Sequence, residues 1–329
     1  MTPISCTPRK LQPGLIALTA LMLMGSAQAQ VAFVTSEKDN ALAVLDLKTE
    51  AVVGTVPTCK RPRHVQKSPD GKQLWVACSE SNAADVIDIA TRKSVARIPL
   101  GDNPEAFDLS PDGKTLYVSN EDDGALTFIE VPGGKKLRQV EVGKEPEGVK
   151  VSHDGKTVYV TSEVASMVHV IDTASGKVSK NIKVGKRPRR FALTPDGKQL
   201  WVTNELGASV SVIDTATHAI TDTIKFSIKG VRDADITPVG ILMSKDGTQA
   251  YVALGKANQV AFVDVASRKQ TALALVGKRA WNVALNAAGT KLYVVNGLSD
   301  DLSIVDVASA KSSKTVPVGR VPYGVVLAE

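Results

Sequence analysis

One turn recurs along this chain at almost constant spacing, and no other feature restricts the fold as strongly. Residues 68–71 read Ser-Pro-Asp-Gly, residues 110–113 repeat it, and altered copies stand at 152–155, 194–197, 244–247 and 286–289. Their glycines step by 42, 42, 42, 50 and 42 residues. An aromatic followed by Val keeps the same register: Phe33, Trp75, Tyr117, Tyr159, Trp201, Tyr251 and Tyr293. So does an acid after an apolar run, at Asp46, Asp88, Glu130, Asp172, Asp214, Asp264 and Asp306. A fourth marker is Pro62, Pro104, Pro146, Pro188, Pro238 and Pro322, with Ala280 in place of a further proline. Four markers in one register define a repeat of about 42 residues, the length of a four-stranded propeller blade.

Each unit reads as four short strands. In the second, Pro62–Lys67 is strand A, 72–78 strand B, 84–89 strand C and 94–100 strand D. Asp-Gly closes the A–B hairpin because such turns need φ > 0, which glycine adopts at little cost. Strands B and C are nearly continuous apolar runs, such as Leu116-Tyr117-Val118 and Val212-Ile213, so both faces of each sheet are covered. The strand B aromatics fill the seams between blades, where full burial of one ring stabilises by roughly 2–3 kcal/mol. The fold class is therefore all-β, a seven-bladed propeller. The first unit lacks the Asp-Gly turn and starts at strand B (31–35), while 322–327 form a lone strand A. Residues 323–328 are expected to pair with 31–35 and close the ring, which leaves no open sheet edge.

Residues 1–29 read as a secretory signal. Arg9 and Lys10 form the positive region, residues 15–24 (LIALTALMLM) the apolar region, and Ala27-Gln28-Ala29 the cleavage site. The propeller then occupies 30–329, free in a periplasm. No later stretch is long and apolar enough to span a membrane. The formal net charge of +6 falls to +4 without Arg9 and Lys10, too mild to argue for nucleic acid. Cys6 lies in the signal, and Cys59 and Cys78 remain as an even pair in an oxidising compartment, so a disulfide between them is expected.

The strand B segments Tyr117-Val118-Ser119-Asn120 and Trp201-Val202-Thr203-Asn204 resemble YVTN-type propeller repeats. The segments Cys59-Lys60-Arg61-Pro62-Arg63, Lys144-Glu145-Pro146-Glu147-Gly148, Lys186-Arg187-Pro188-Arg189 and Ile236-Thr237-Pro238-Val239-Gly240 go further. With the single long insertion, they look like the seven-repeat propellers associated with PQQ-dependent catabolism. That resemblance implies a place beside periplasmic quinoprotein alcohol oxidation and an ABC-type transport system. The repeat itself is shared with lactonases, quinoprotein amine dehydrogenase subunits and surface-layer proteins, so it determines fold rather than function.

Loops before strand A and after strand B meet at one mouth of the central channel. The first channel-lining positions of strand A are His64, Ala106, Gly148, Arg190, Gly240, Asn282 and Gly324. Just before them come Arg61, Arg63, Glu105, Glu145, Glu147, Arg187, Arg189, Arg279, Trp281 and Tyr323. After strand B come Glu37, Glu80, Glu121, Glu163 and Glu205. The insertion, 226–237, adds Arg232, Asp233 and Asp235 and is expected to act as a lid.

From these the candidate ligand-binding set is Arg61, Arg63, His64, Glu105, Glu121, Glu147, Glu163, Arg187, Arg189, Arg190, Glu205, Arg232, Arg279, Trp281, Asn282 and Tyr323. Arginine forks suit carboxylates, and Trp281 and Tyr323 offer faces for a flat ring. PQQ is the candidate cofactor. A quinoprotein dehydrogenase, a cytochrome or a transport component is the candidate partner, and a monomer is expected. The function expected on this basis is a non-enzymatic periplasmic accessory protein binding a ligand or partner at the channel mouth. The alternative is a lactonase-like hydrolase or quinoprotein-linked enzyme with its site in the channel. No residue set stands out as catalytic or metal-ligating from sequence alone.

Overall fold

The computed structural model describes residues 1–3 and 30–329. The expected signal, with its apolar region and the cleavage site after Ala29, lies outside the described residues from position 4 to 29. The described residues form seven four-stranded antiparallel sheets, the blades of a propeller. Blade two is representative: Pro62–Lys67 is strand A, Gln73–Cys78 strand B, Ala83–Asp88 strand C and Lys93–Pro99 strand D. Strand A lines the axis and strand D forms the outer wall. In strand D every residue but Ile98 is exposed, whereas strands B and C are almost wholly buried.

The strand B aromatics do what their spacing requires. Phe33, Trp75, Tyr117, Tyr159, Trp201, Tyr251 and Tyr293 are all buried. Trp201, for example, packs with Ile224, Ala250 and Val252, joining blade five to blade six. The Asp-Gly turns at Gly71, Gly113, Gly155, Gly197 and Gly247, and the Ala-Gly turn at Gly289, have their glycines at φ of 69–72°. The Asp46 series is structural: Asp46, Asp88 and Asp172 each accept the backbone N–H of the residue three positions on, closing the C–D turn.

Closure is made by the chain's two ends. Strand Val31–Ser36 pairs with Pro322–Ala328, with Val31 opposite Ala328, Phe33 opposite Val326 and Val34 opposite Val325. Phe33 and Ala328 share one core cluster with Val65 and Val76 of blade two. Cys59 and Cys78 belong to that cluster and are joined by a disulfide, with Cα atoms 5.7 Å apart.

The insertion lies on the channel-mouth face. Phe226, Ile228 and Ile236 anchor it in the apolar seam between blades five and six. Its short helical turn, Asp233–Asp235, sits beside the turns Glu205–Gly207 and Gly255–Ala257. The segment therefore fills a seam on the expected face, and its apolar residues point down into the core.

Deleting 322–329 removes a whole strand of blade one and exposes strand Val31–Ser36 as a bare edge. The truncated protein is expected to aggregate or to melt in a broadened transition, measured by size-exclusion chromatography and circular dichroism. Melting like the full chain would contradict closure by the C-terminal strand.

Candidate functional site

A repeated irregularity in the A–B ladder creates the site. In each blade the pairing slips after the first residue of strand A; in blade two Pro62 faces Cys78 and the next pair is Val65 with Val76. The same slip recurs at Pro104, Pro146, Pro188, Pro238 and Ala280, and between Val34 and Ser36 in blade one. A bulge re-aims side chains. Here it turns one residue per blade across the axis: Arg63, Glu105, Glu147, Arg189, Val239, Trp281 and Tyr323. The six other than Trp281 are buried. Together they plug the channel just below its mouth.

The plug is held by charge and by aromatic faces. Arg63 pairs closely with Glu105. Arg189 bonds Glu147 at 2.8 Å and pairs closely with Glu163. Arg190, one position further down, reaches Glu147 at 3.4 Å and donates to the Tyr323 hydroxyl at 2.8 Å. The Arg63 guanidinium lies 4.4 Å from the Tyr323 ring centre, and that of Arg279 lies 4.2 Å from Trp281. The Trp281 and Tyr323 rings are 5.1 Å apart.

A collar surrounds the plug. Arg61, Arg187 and Arg279 stand directly before strand A with φ of 56°, 55° and 63°. Asn103, Glu145 and Val321 hold the same left-handed conformation at the equivalent position, so the turn belongs to the repeat and sets where these side chains start. Arg187 bonds Glu163 at 2.5 Å and Glu205 at 3.3 Å, and Arg279 bonds Glu205 at 2.7 Å. Arg61 and Arg63 share Glu37, at 3.4 and 3.5 Å. Thr237, at the end of the insertion, accepts from Arg279 at 3.2 Å and so helps place it. Six arginines thus meet five glutamates, and Arg187, 43% exposed, presents part of its guanidinium to solvent.

Burial splits the carboxyls. It raises Glu105 to about 8, with Glu147 adding to the rise and Arg63 opposing it. Burial also raises Glu163 to about 7; Arg189 opposes this and the Glu147 charge reinforces it. Burial alone would raise Glu147 too, but Arg189, Arg190 and Arg63 override it and hold that carboxyl at about 2. Glu147 and Glu163 also hydrogen-bond each other, so one stays ionised while its neighbour can carry a proton. Adjacent carboxyls with separated affinities and fixed cationic donors are the equipment of acid–base chemistry on an oxygen ester.

Most of the candidate set converges here: Arg61, Arg63, Glu105, Glu147, Glu163, Arg187, Arg189, Arg190, Glu205, Arg279, Trp281 and Tyr323. His64 and Asn282 lie just beneath the plug, facing the channel. Glu121 stands apart and accepts from Asn103 at 3.0 Å. Arg232 is 84% exposed and pairs with Asp235 at 2.7 Å, away from the cluster. Glu37, outside the set, is a full member of the network. It holds the same position after strand B as Glu163 and Glu205, a signal present in the repeat.

The expected anion grip is not what the geometry provides. The rim arginines are already matched by glutamates, and both aromatic faces are covered by guanidinium groups. The residues present therefore do not fit PQQ, a flat tricarboxylate that needs free cations and an open ring face.

Residues 173–324 match the family model described as Lactonase, 7-bladed beta-propeller. Among solved structures, hydrazine synthase from Kuenenia stuttgartiensis is 25% identical with a TM-score of 0.75, over 84% of this chain and 92% of that one. A periplasmic gluconolactonase from Pseudomonas aeruginosa is 20% identical with a TM-score of 0.77, over 91% of this chain and 99% of that one. A functionally unknown protein from Desulfotomaculum acetoxidans is 16% identical with a TM-score of 0.79, over 92% and 99%. No curated protein matches. The Lactonase match overturns the expectation of a non-enzymatic accessory protein and favours the hydrolase alternative. No helix among the described residues is long and apolar enough to cross a membrane.

Stability should follow the carboxyl split. Glu105 and Glu163 keep protons in the folded chain that the unfolded chain, with ordinary values near 4.5, releases. Their contribution is full below about 4.5 and is lost as pH rises through about 7 to 8. Glu147 acts oppositely, its contribution being lost as pH falls from about 4.5 toward 2. Glu105→Gln is therefore expected to flatten the fall of melting temperature between pH 5 and 8. Glu147→Gln takes from Arg190 the one carboxylate it pairs with among the described residues and from Arg189 one of three, and should cost about 3–5 kcal/mol in denaturant titration. Equal effects of the two substitutions would contradict this assignment.

Proposed function

We propose that this propeller hydrolyses sugar lactones in the periplasm, at the arginine–glutamate mouth of its channel. The observation that carries the proposal is the Glu147–Glu163 pair, its proton affinities driven apart beside Arg187, Arg189 and Arg279. The Lactonase match over 173–324 and the gluconolactonase fold neighbour support it. A lactone carbonyl placed at the mouth meets the solvent-facing guanidinium of Arg187. Glu163 takes a proton from water, whose oxygen bonds to the carbonyl carbon. The solvent-facing N–H groups of Arg187 stabilise the negative oxygen that develops. The ring C–O bond then breaks, Glu163 returns the proton to the departing oxygen, and a hydroxy acid leaves. Glu147, held ionised by its arginines, keeps the Glu163 carboxyl basic enough for this exchange.

The YVTN-type likeness to propellers of PQQ-dependent catabolism fits the same reading. Oxidation of a cyclic hemiacetal at its anomeric carbon yields a lactone, so a quinoprotein that oxidises sugars would supply the substrate. A periplasmic address follows from the signal-like residues 1–29 and accords with the periplasmic neighbour.

Purified protein is expected to hydrolyse glucono-1,5-lactone faster than buffer, followed by acid release at constant pH. The rate should rise with pH through about 7 as Glu163 loses its proton. Glu163→Gln should lower kcat by about 10²–10⁴-fold, the usual worth of a positioned base. No acceleration on any aldonolactone, or full activity in the variant, would contradict the proposal.

A further inference from the structure

Past Met1, the large apolar side chains exposed among the described residues fall into two groups. One group, running from Val52 to Leu275, lies on strand D of the outer wall. The other is Val164, Leu206 and Leu298, exposed by 61%, 51% and 71%. All three stand two residues past the end of strand B, on the mouth face. The same position holds Lys38, Glu80, Asp122 and Lys256 in the other blades. The turn therefore does not call for an apolar residue, and blades four, five and seven depart from a charged pattern.

The departure falls beside the collar arginines. Val164 and Leu206 directly follow Glu163 and Glu205, the two glutamates that Arg187 bonds. The Leu206 N–H donates to the Lys186 carbonyl at 3.2 Å, and the Leu298 N–H to that of Lys278 at 3.0 Å. Each leucine is thereby fastened to the residue just before a collar arginine, Arg187 or Arg279. Arg187, whose guanidinium meets solvent, is bordered by an apolar residue from blade four and another from blade five. Single exposed apolar residues are ordinary on a protein surface. These are not scattered: they share one repeat position and adjoin one solvent-facing cation.

We infer that the mouth prefers lactones that carry an aliphatic arm. The inference rests on the hydrolytic reading of the mouth and narrows its substrate. With the carbonyl at Arg187 and the attacking water at Glu163, a ring substituent leaves over the rim, where Val164 and Leu206 adjoin the reacting groups. A bare sugar lactone presents hydroxyls there and gains nothing from these side chains. An alkyl arm leaves water against them, which is favourable in proportion to the apolar area covered. Lys186, exposed beside Leu206, offers the competing choice of an anionic substituent.

The test is kcat/KM of the full protein on δ-hexalactone, δ-octalactone and δ-decalactone, one ring with arms of increasing length. Full burial of a methylene is worth about fourfold, and a one-sided rim about twofold, so a rise of roughly tenfold or more is expected from the first to the last. The Val164→Asn, Leu206→Asn double variant should flatten the series. Val95→Asn, on the outer wall, should leave its slope as it is. If neither these lactones nor glucono-1,5-lactone is hydrolysed, the hydrolytic reading falls and this inference with it. Turnover of glucono-1,5-lactone with no dependence on arm length would overturn the inference alone. So would a slope that survives the double variant, or a preference for the anionic glucaro-1,4-lactone over δ-decalactone.

Discussion

Seven strands converge on one axis, and whatever they carry at the bulge must be small, apolar or paired. Space is short there: a Cβ on Gly148 would stand 2.1 Å from the Arg189 carbonyl oxygen, and one on Gly240 2.4 Å from that of Trp281. Where the strands instead carry large charged groups, those groups lose their water and must find each other across the channel. The plug is the result. Arg63 finds Glu105 and Tyr323, Arg189 finds Glu147 and Glu163, and Arg190 crosses from blade five to the strand that closes blade one.

That last contact ties the plug to closure. Tyr323 belongs to the strand that completes blade one, and it supports two arginines of the plug. Asn282 of blade seven also donates to the Tyr323 carbonyl at 2.9 Å. The ring is therefore fastened twice, by the edge pairing of Val31–Ser36 with Pro322–Ala328 and by side chains across the axis. A buried ion network of this kind is a poor stabiliser relative to apolar packing. It gathers at the mouth, where strand A of several blades sends large charged side chains inward.

Fold and site differ in how far they can be read from residues. The turns at Gly71 and its equivalents, the aromatics of strand B and the closing strand all recur in register, so counting finds them. The position after the Tyr159 or Trp201 strand that faces the mouth is equally countable, which is why Glu163 and Glu205 stand out. Pairing across the axis is not periodic. Arg63 and Glu105 lie 42 residues apart and Arg190 and Glu147 lie 43 apart, so register gives their height but not which side chain spans the gap. The recurrent proline marks the bulge, but nothing in the spacing says that the residue after it turns inward, and that turn is what sends Arg63 and Arg189 across the axis. Buried, those arginines take glutamate partners and cover Trp281 and Tyr323, where exposed ones would have gripped an anion. Function was hidden for a related reason: the repeat is shared by propellers of unrelated chemistry.

The central claim is physical: desolvation at the axis keeps protons on Glu105 and Glu163 at a pH where free carboxyls have lost them. Infrared difference spectroscopy on protein carrying carboxyl-labelled glutamate reads this directly. The account predicts a protonated carboxyl absorption that persists at pH 6, disappears with apparent values of about 7 to 8, and is missing in the Glu105→Gln, Glu163→Gln double variant. Complete ionisation of every glutamate by pH 6 would contradict it.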